Sequence, residues 1–251
     1  MLLANNYKCL TLEQEKEVLR YLQSNMELFL ASGSSRAVFK VDEHIRNMLG
    51  LNDIVAELVI KMSMGLGGYR QSALEVSTYN YGVDSGCFAD IFARGSVFTV
   101  MEEIDTDWDF YDFYEEVYDE SQIDEYIEYC YGDDISEEAY KRHYDRYSAA
   151  LKTINTLEDY LGRTSDNSQL GYSEADKCFK AYDYGFEGGR YAGDQMTRTS
   201  DYFGYHKECT HEFFDIVISQ IDESIAAGEE YLGESEFAVI EDNFMLFCDN
   251  Y

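Results

Sequence analysis

The stretch FLASGSSRAVFKV, residues 29–41, places one glycine, two serines and an arginine between two short apolar runs. This cluster has two interpretations. It is a plain hairpin turn between two strands, or it is a loop that folds over a phosphate group, because glycine lets a backbone approach closely and serine and arginine bind anions. The choice between them depends on the elements that follow along the chain.

The charge balance is strongly acidic. Fifty acidic residues against nineteen basic ones give a net charge of −31, which argues against direct binding of nucleic acid, since such binding needs Lys and Arg to replace phosphate counterions. Two segments hold no Lys or Arg: residues 102–138, with seventeen carboxylates, and residues 208–251, with twelve. They are either solvated faces or an acidic surface that meets a basic partner.

The remaining composition predicts a folded, soluble, intracellular protein. Hydrophobic residues make up 45% of the chain and aromatic residues 16%. No apolar run reaches roughly 18 residues, so no membrane span is expected. The six cysteines are scattered without paired spacing, which fits free thiols in a reducing cytoplasm.

Periodicity predicts the elements that would position the opening cluster. Thr11 and Gln14 stand at capping-box spacing before apolar residues at helical intervals, which predicts a helix over 12–29. RAVFKV alternates like a strand, and IVAELVIKM (54–62) is a second strand candidate whose composition also suits a helix. We further expect a helix over 69–80, a hairpin with a glycine turn over 88–104, helices over 107–161, a strand over 178–186 and a helix over 209–232.

This order, with the motifs GSSRAVF, VIKM and GGYRQSALEV, resembles the small lobe of a protein kinase, and more narrowly the kinase-like proteins of bacteriophages. The resemblance implies an α+β fold, with a kinase-like small β-rich lobe followed by a reduced, mostly helical lobe. Residues 1–104 would form an N-terminal helix plus the small lobe. Residues 105–251 would form an acidic, mostly helical lobe with a DYG-containing hairpin.

The resemblance also implies a site for ATP and Mg²⁺. Lys61 would bind the nucleotide phosphates, Glu75 would be its ion-pair partner, and Met101–Glu103 would be the hinge that faces the adenine. The turn that covers the phosphates would comprise Gly33, Ser34, Ser35 and Arg36. In the run DNSQLGYSEADKCFKAYDYGF, the resemblance implies Asn167 and Asp183 as the Mg²⁺ ligands.

The sequence departs from active kinases where catalysis is concerned. The turn has one glycine instead of two or three, and neither HRD nor APE occurs in the chain. The position expected for the catalytic base is Gly162, and the nearby Asp159 and Asp166, the possible bases, are off register. Because loss of a positioned base lowers the rate by about 10²–10⁴, we expect a catalytically inactive kinase-like protein.

Three functions remain open at this point. The first is a phage interaction protein that binds and inhibits a basic host protein, such as a defence or nucleic-acid-handling enzyme, through an acidic, DNA-mimicking surface. The second is an active protein kinase that phosphorylates host proteins, and the third is an ATP-binding regulator. All three place the chain in the cytoplasm of a bacterial host, without membrane contact. The acidic surface would include Glu115, Glu116, Asp119, Glu120, Asp124 and Glu125.

Overall fold

The computed structural model describes residues 7–33, 35–106, 110–132, 134–161, 169–184, 186–187, 190–191 and 202–250. The chain is mixed α+β, with a β-sheet in its N-terminal part followed by a mostly helical part, which confirms the α+β class expected from the sequence. The strands are β1 (Lys8–Cys9), β2 (Phe29–Ser32), β3 (Arg36–Lys40), β4 (Leu58–Ser63), β5 (Ile91–Arg94), β6 (Phe98–Glu102), β7 (Leu170–Ser173), β8 (Cys178–Ala181), β9 (Phe186–Glu187) and β10 (Arg190–Tyr191).

The helical segments predicted over 12–29, 107–161 and 209–232 are shorter or more divided in the structure, whereas the one predicted over 69–80 is longer. They are α1 (Leu12–Ser24), α2 (Glu43–Leu49), α3 (Leu66–Gly82), α4 (Tyr111–Glu116), α5 (Ile123–Tyr131), α6 (Glu137–Leu161), α7 (Lys207–Ala227) and α8 (Glu234–Cys248). The helix predicted over 12–29 ends at Ser24, a 3₁₀ turn follows over Met26–Leu28, and Phe29 begins β2. The capping box of Thr11 and Gln14 is present.

The first six strands form one sheet in the order β1-β5-β6-β4-β3-β2, in which only the β1–β5 pairing is parallel. Strand β4 lies near the middle, and all its residues are buried. Its apolar run VIKM therefore belongs to a strand, and not to the helix that its composition also allowed. The turn between β2 and β3 is a hairpin turn, closed by the Gly33 N–H donating to the Arg36 carbonyl at 2.9 Å.

One face of this sheet carries the main core. Ala37, Phe39, Ile60, Met62 and Val100 alternate along β3, β4 and β6 and pack with the apolar faces of α1, α7 and α8. Helix α1 packs against α7, and α7 packs against α8. The hydrophobic effect therefore joins segments that are far apart in sequence.

By its contacts the chain divides into two units. The sheet unit comprises Met1–Val76, Asp90–Glu103 and Tyr191–Tyr251, and the helical unit comprises Ser77–Ala89 and Ile104–Arg190. This grouping differs from the sequence-based division into 1–104 and 105–251, because α7 and α8 bury their apolar residues in the core of the sheet unit. A boundary at residue 104 assigns α7 and α8 to the second lobe, whereas the chain from Tyr191 onward belongs to the sheet unit.

The helical unit has an aromatic core of its own. Phe113 stacks on Tyr147 with ring centroids 4.7 Å apart, and Phe110 meets Phe179 edge-on at 5.1 Å. These contacts join α4, α6 and the hairpin of β7 and β8. No helix in the described ranges is both long enough and apolar enough to cross a membrane.

Candidate functional site

Lys61 lies in the middle of the sheet, on the face opposite the main core. Its cross-strand neighbours are Val38 on β3 and Thr99 on β6, so the three side chains project to the same side. The Lys61 side chain is only 10% exposed. A buried lysine requires a partner for its charge.

Glu75 on α3 supplies that partner. Its side chain is fully buried, and the Lys61 Nζ lies 3.0 Å from its Oε1. The ion pair predicted from the sequence is therefore present. Helix α3 carries Glu75, and Gln71 lies one turn before it on the same helix face.

Arg36 has a position that the sequence analysis did not predict. Although it closes the turn between β2 and β3, its buried guanidinium does not extend over the turn. Its Nη1 lies 2.7 Å from the Glu75 Oε2, so the two carboxylate oxygens of Glu75 are divided between Lys61 and Arg36. Arg36 thus contacts the same carboxylate as the lysine.

The turn itself is held down onto α3 and the end of β4. The Ser35 hydroxyl donates to the Gln71 Oε1 at 2.5 Å, and the Ser35 carbonyl accepts from the Met64 N–H at 2.9 Å. A Cβ on Gly68 would lie 2.3 Å from that carbonyl oxygen, so only glycine permits this approach. Ser34, the fourth residue predicted for the turn, lies outside the described residues.

Gln71 and Gly68 are the residues that sequence reasoning missed. The signals were the glycine pair that precedes Tyr69 and the four-residue spacing of Gln71 and Glu75. Gly33, in contrast, is not crowded, since among the described atoms a Cβ there would make an ordinary contact with the Arg36 carbonyl oxygen, at 3.9 Å. The fold of the turn does not require glycine at position 33.

The predicted hinge, Met101–Glu103, is hydrogen-bonded to neighbouring backbone segments of the sheet unit. Met101 is buried on β6, opposite Val59 of β4. The Glu102 N–H donates to the Asp90 carbonyl and the Glu103 N–H donates to the Glu57 carbonyl, both at 2.8 Å. These two backbone donors are therefore engaged within the protein and are not available to an adenine ring.

The residues predicted for catalysis and metal binding are only partly described. Asn167, Asp166 and Gly162 lie outside the described residues. Asp159 is exposed on α6, which continues to Leu161, so the residue belongs to a helix and not to a loop. Asp183 is partly buried, two residues after β8. Its carboxylate is a donor type that Mg²⁺ prefers, but a single described carboxylate does not define a metal site.

The six acidic residues predicted to bind a partner are all exposed in the helical unit. They lie on α4, on a 3₁₀ turn over Glu120–Gln122 with its cap Asp119, and on α5, so their segment is not one continuous helix. Hydrogen bonds from the Ser121 hydroxyl and N–H lower the pKa of Asp119. The Tyr140 hydroxyl donates to Asp124, and the Ser148 hydroxyl donates to the Glu120 Oε1 at 3.2 Å.

The aromatic residues of this segment divide between the core and the surface. Phe113, Tyr114 and Tyr126 are buried, as expected for aromatic residues turned inward. Tyr118 and Tyr129 are 56% and 77% exposed, so the surface of α4 and α5 combines carboxylates with phenol rings. Trp108 lies outside the described residues.

Comparisons with known proteins find only distant structural likeness. No protein-family description and no curated protein matches the sequence. Among solved structures, the Cydia pomonella granulovirus kinase PK-1 is 14% identical with a TM-score of 0.33, over 90% of this chain and 79% of that one. The complex of gentamicin with APH(2″)-IIa is 11% identical with a TM-score of 0.33, over 92% of this chain and 95% of that one. At this level the likeness is one of coarse architecture.

Proposed function

We propose that the sheet unit binds ATP through its phosphates, which Lys61 contacts as the strand lysine of protein kinases does. The observation that carries the proposal is the buried Lys61–Glu75 pair between β4 and α3, with Nζ and Oε1 3.0 Å apart. In protein kinases a strand lysine paired with a helix glutamate has this role. The strand order β2-β3-β4-β6-β5 within the sheet also supports a kinase-like small lobe.

The chemistry of the pair favours a role beyond stability. Burying two charges costs desolvation energy that their attraction often fails to repay, and apolar residues of similar volume usually stabilise a fold at least as well. An ammonium group fixed by a carboxylate is, however, preorganised to bind an anion. A fold that needed only stability at this position has no requirement for a lysine.

The proposal is tested by titrating the full chain with ATP, with and without MgCl₂, and following binding by calorimetry and thermal unfolding. Lys61→Met should abolish the binding. Lys40→Met is the matched control, since Lys40 is exposed on the neighbouring strand β3. Absence of ATP binding by the folded wild-type chain would refute the proposal and assign the pair, with Arg36, to the fold alone.

We further propose that the chain holds ATP without transferring its phosphate efficiently. The sequence lacks HRD, and Gly162 occupies the position expected for the base. Transfer of radiolabel from ATP to the chain itself, or to a bacterial lysate, should remain at background. Robust transfer that Lys61→Met abolishes would contradict this and identify an active kinase, with Asp159 and Asp166 as the first candidates for its base.

A second candidate function is binding of a basic host protein through the acidic surface of α4 and α5. The observation that favours it is the mixture of exposed carboxylates with the exposed Tyr118 and Tyr129, because tyrosine and carboxylate side chains both contact arginine well. Inhibition of a defence or nucleic-acid-handling enzyme and mimicry of DNA would be forms of this function.

The structure sharpens the choice of variant for this second function. All six acidic residues are exposed, but Asp119, Glu120 and Asp124 also accept hydrogen bonds that shape the segment. Glu115, Glu116 and Glu125 are therefore the better positions to change. Charge reversal of Glu115, Glu116 and Glu125 to Lys should prevent capture of a partner from a bacterial lysate at low salt. The same reversal at the exposed Glu223, Glu229 and Glu230 is the control. Equal loss in both variants would show nonspecific charge attraction and refute a specific surface.

A further inference from the structure

A groove in the helical unit collects positive charge in an otherwise acidic protein. It lies between α6 and the hairpin of β7 and β8 and has a volume of about 540 Å³. Four basic side chains line it: Lys141, Arg142, Arg146 and Lys177. The whole sequence has only nineteen Lys and Arg, so a fifth of them converge on this one feature, which we call the basic groove.

Two of these cations are not neutralised by the groove itself. Glu138 and Asp145 also line it, and each stands four residues from a cation on α6, the spacing at which helical ion pairs form. Yet within the described ranges, Lys141 and Arg142 make no ion pair within 4.0 Å. In a chain with fifty carboxylates, cations that stay unpaired beside available acids are suited to an external anion.

The basic groove also has an aromatic wall. The Arg146 guanidinium carbon lies 5.9 Å from the centroid of the Tyr172 ring, and Tyr172 meets Phe179 edge-on at 5.4 Å. The aromatic contact helps to orient the guanidinium. Lys177 lies in the turn between β7 and β8, where it pairs with Glu174 at 2.6 Å in an exposed position.

Two of the arginines that line the basic groove also affect His143. Burial lowers the pKa of His143, and the charges of Arg142 and Arg146 lower it further. His143 stands between these two arginines in sequence, on the helix that lines the groove.

We propose that the basic groove is a binding site for a small phosphate-bearing ligand. A phosphate monoester or diphosphate carries about two charges or more on a compact group of oxygens, which suits the excess of four cations over two carboxylates around this small volume better than a single carboxylate does. Guanidinium groups bind such oxygens in a bidentate manner. The volume lies within the range of about 300–1,000 Å³ typical of small-ligand sites, and Tyr172 and Phe179 offer an apolar wall to an organic part of the ligand.

This site is independent of the ATP site proposed at Lys61, because all its residues belong to the helical unit. Either site can exist without the other. The experiment must therefore locate binding in the chain, and a bulk affinity alone is insufficient.

Inorganic pyrophosphate is the probe. In two-dimensional NMR of the ¹⁵N-labelled full chain, we expect pyrophosphate to shift the amide signals of residues 141–146 and 172–177. A glutamate hexapeptide is titrated in parallel as a carboxylate polyanion. Absence of shifts at these residues up to millimolar pyrophosphate overturns the proposal, and so does an equal or stronger response to the peptide.

Lys177→Gly separates loss of binding from damage to the fold. Lys177 has φ 57°, a left-handed conformation that glycine adopts without strain. This variant should raise the unfolding temperature and still weaken pyrophosphate binding at least threefold. The double variant Lys141→Gln/Arg142→Gln should weaken binding at least tenfold.

Lys152→Gln is the matched control, because Lys152 is exposed on α6 but lines a different groove. It should bind pyrophosphate as the wild type does. Unchanged affinity in both Lys177→Gly and the double variant, or an equal loss in Lys152→Gln, would overturn the assignment of the site.

Discussion

Glu75 is a buried residue that belongs to the candidate site and also bonds two strands of the fold. Its two oxygens accept hydrogen bonds from Lys61 and Arg36, from two different strands. The motif VIKM predicts the lysine, whereas the nearby glycine and serines predict that the arginine belongs to a turn. Side-chain direction at a strand end depends on which buried acid lies within reach, and no local pattern encodes that.

We predict unequal costs for removing the partners in this cluster. Glu75→Ala leaves two buried cations without their shared carboxylate and should destabilise the protein by about 3–5 kcal/mol. Lys61→Met leaves the Arg36–Glu75 pair in place, so its cost should be about 1–3 kcal/mol. Urea denaturation of both variants measures the difference. Equal costs would show that Arg36 does not stabilise Glu75 when Lys61 is absent.

Glu15 is a second buried acid, with a structural role. Its Oε2 accepts from the Ser96 N–H at 2.9 Å and its Oε1 accepts from the Val97 N–H at 2.6 Å, so it fastens α1 to the turn between β5 and β6. Complete burial raises its pKa to about 7, against the lowering effect of the backbone N–H donors. A glutamate in the first turn of a helix gives no sequence signal for this role.

The raised pKa predicts a pH dependence of stability. Between the unfolded value of 4.5 and the folded value of about 7, the folded state binds the Glu15 proton more tightly than the unfolded state does. The stabilisation that Glu15 contributes is therefore complete below about pH 4.5 and is lost as the pH rises through 7, by roughly 3 kcal/mol.

Glu15→Gln tests this dependence by urea denaturation between about pH 5 and pH 8. The variant is less stable, because its amide N–H₂ faces a backbone donor, but it cannot titrate. The difference in unfolding free energy between wild type and variant should shrink as the pH rises. A constant difference would show that Glu15 has an ordinary pKa.

At the scale of elements, the local patterns predicted most strands and helices but not their ends. RAVFKV, the 88–104 hairpin and the 209–232 helix all correspond to observed elements, because period-two alternation, a glycine turn and an amphipathic repeat are local properties. The end of α1 and the docking of α7 and α8 on the sheet were missed. They depend on which apolar surfaces meet, and this is a property of the tertiary structure.

Two glycines near the candidate site make a matched pair. A Cβ on Gly68 would meet the Ser35 carbonyl oxygen at 2.3 Å, whereas a Cβ on Gly33 would meet the Arg36 carbonyl oxygen at an ordinary contact distance of 3.9 Å. Gly68→Ala should therefore destabilise the protein by about 1–3 kcal/mol, and Gly33→Ala should change its stability little. Thermal unfolding of the two variants measures this. A larger loss in Gly33→Ala would contradict the described packing of the turn on α3.

At the scale of the whole molecule, net charge opposes the fold. Few local cations offset the −31 charge, and residues 102–138 contain none. Most of these carboxylates that are described lie on the surface, where their mutual repulsion acts through solvent and is screened by salt. The aromatic core of Phe110, Phe113 and Tyr147 holds the helical unit together against that repulsion.

Stability should therefore rise with salt. Between about 0.05 M and about 0.5 M NaCl the screening length falls from above 10 Å to about 4 Å, so repulsion between neighbouring surface charges weakens. We expect the unfolding temperature to increase by several degrees, with most of the gain at the low end of the range, since screening saturates whereas salting-out grows steadily. The variant with Lys at 115, 116 and 125 should show a smaller increase. An unfolding temperature that is independent of salt, or that rises equally in this variant, would show that the acidic surface does not strain the fold.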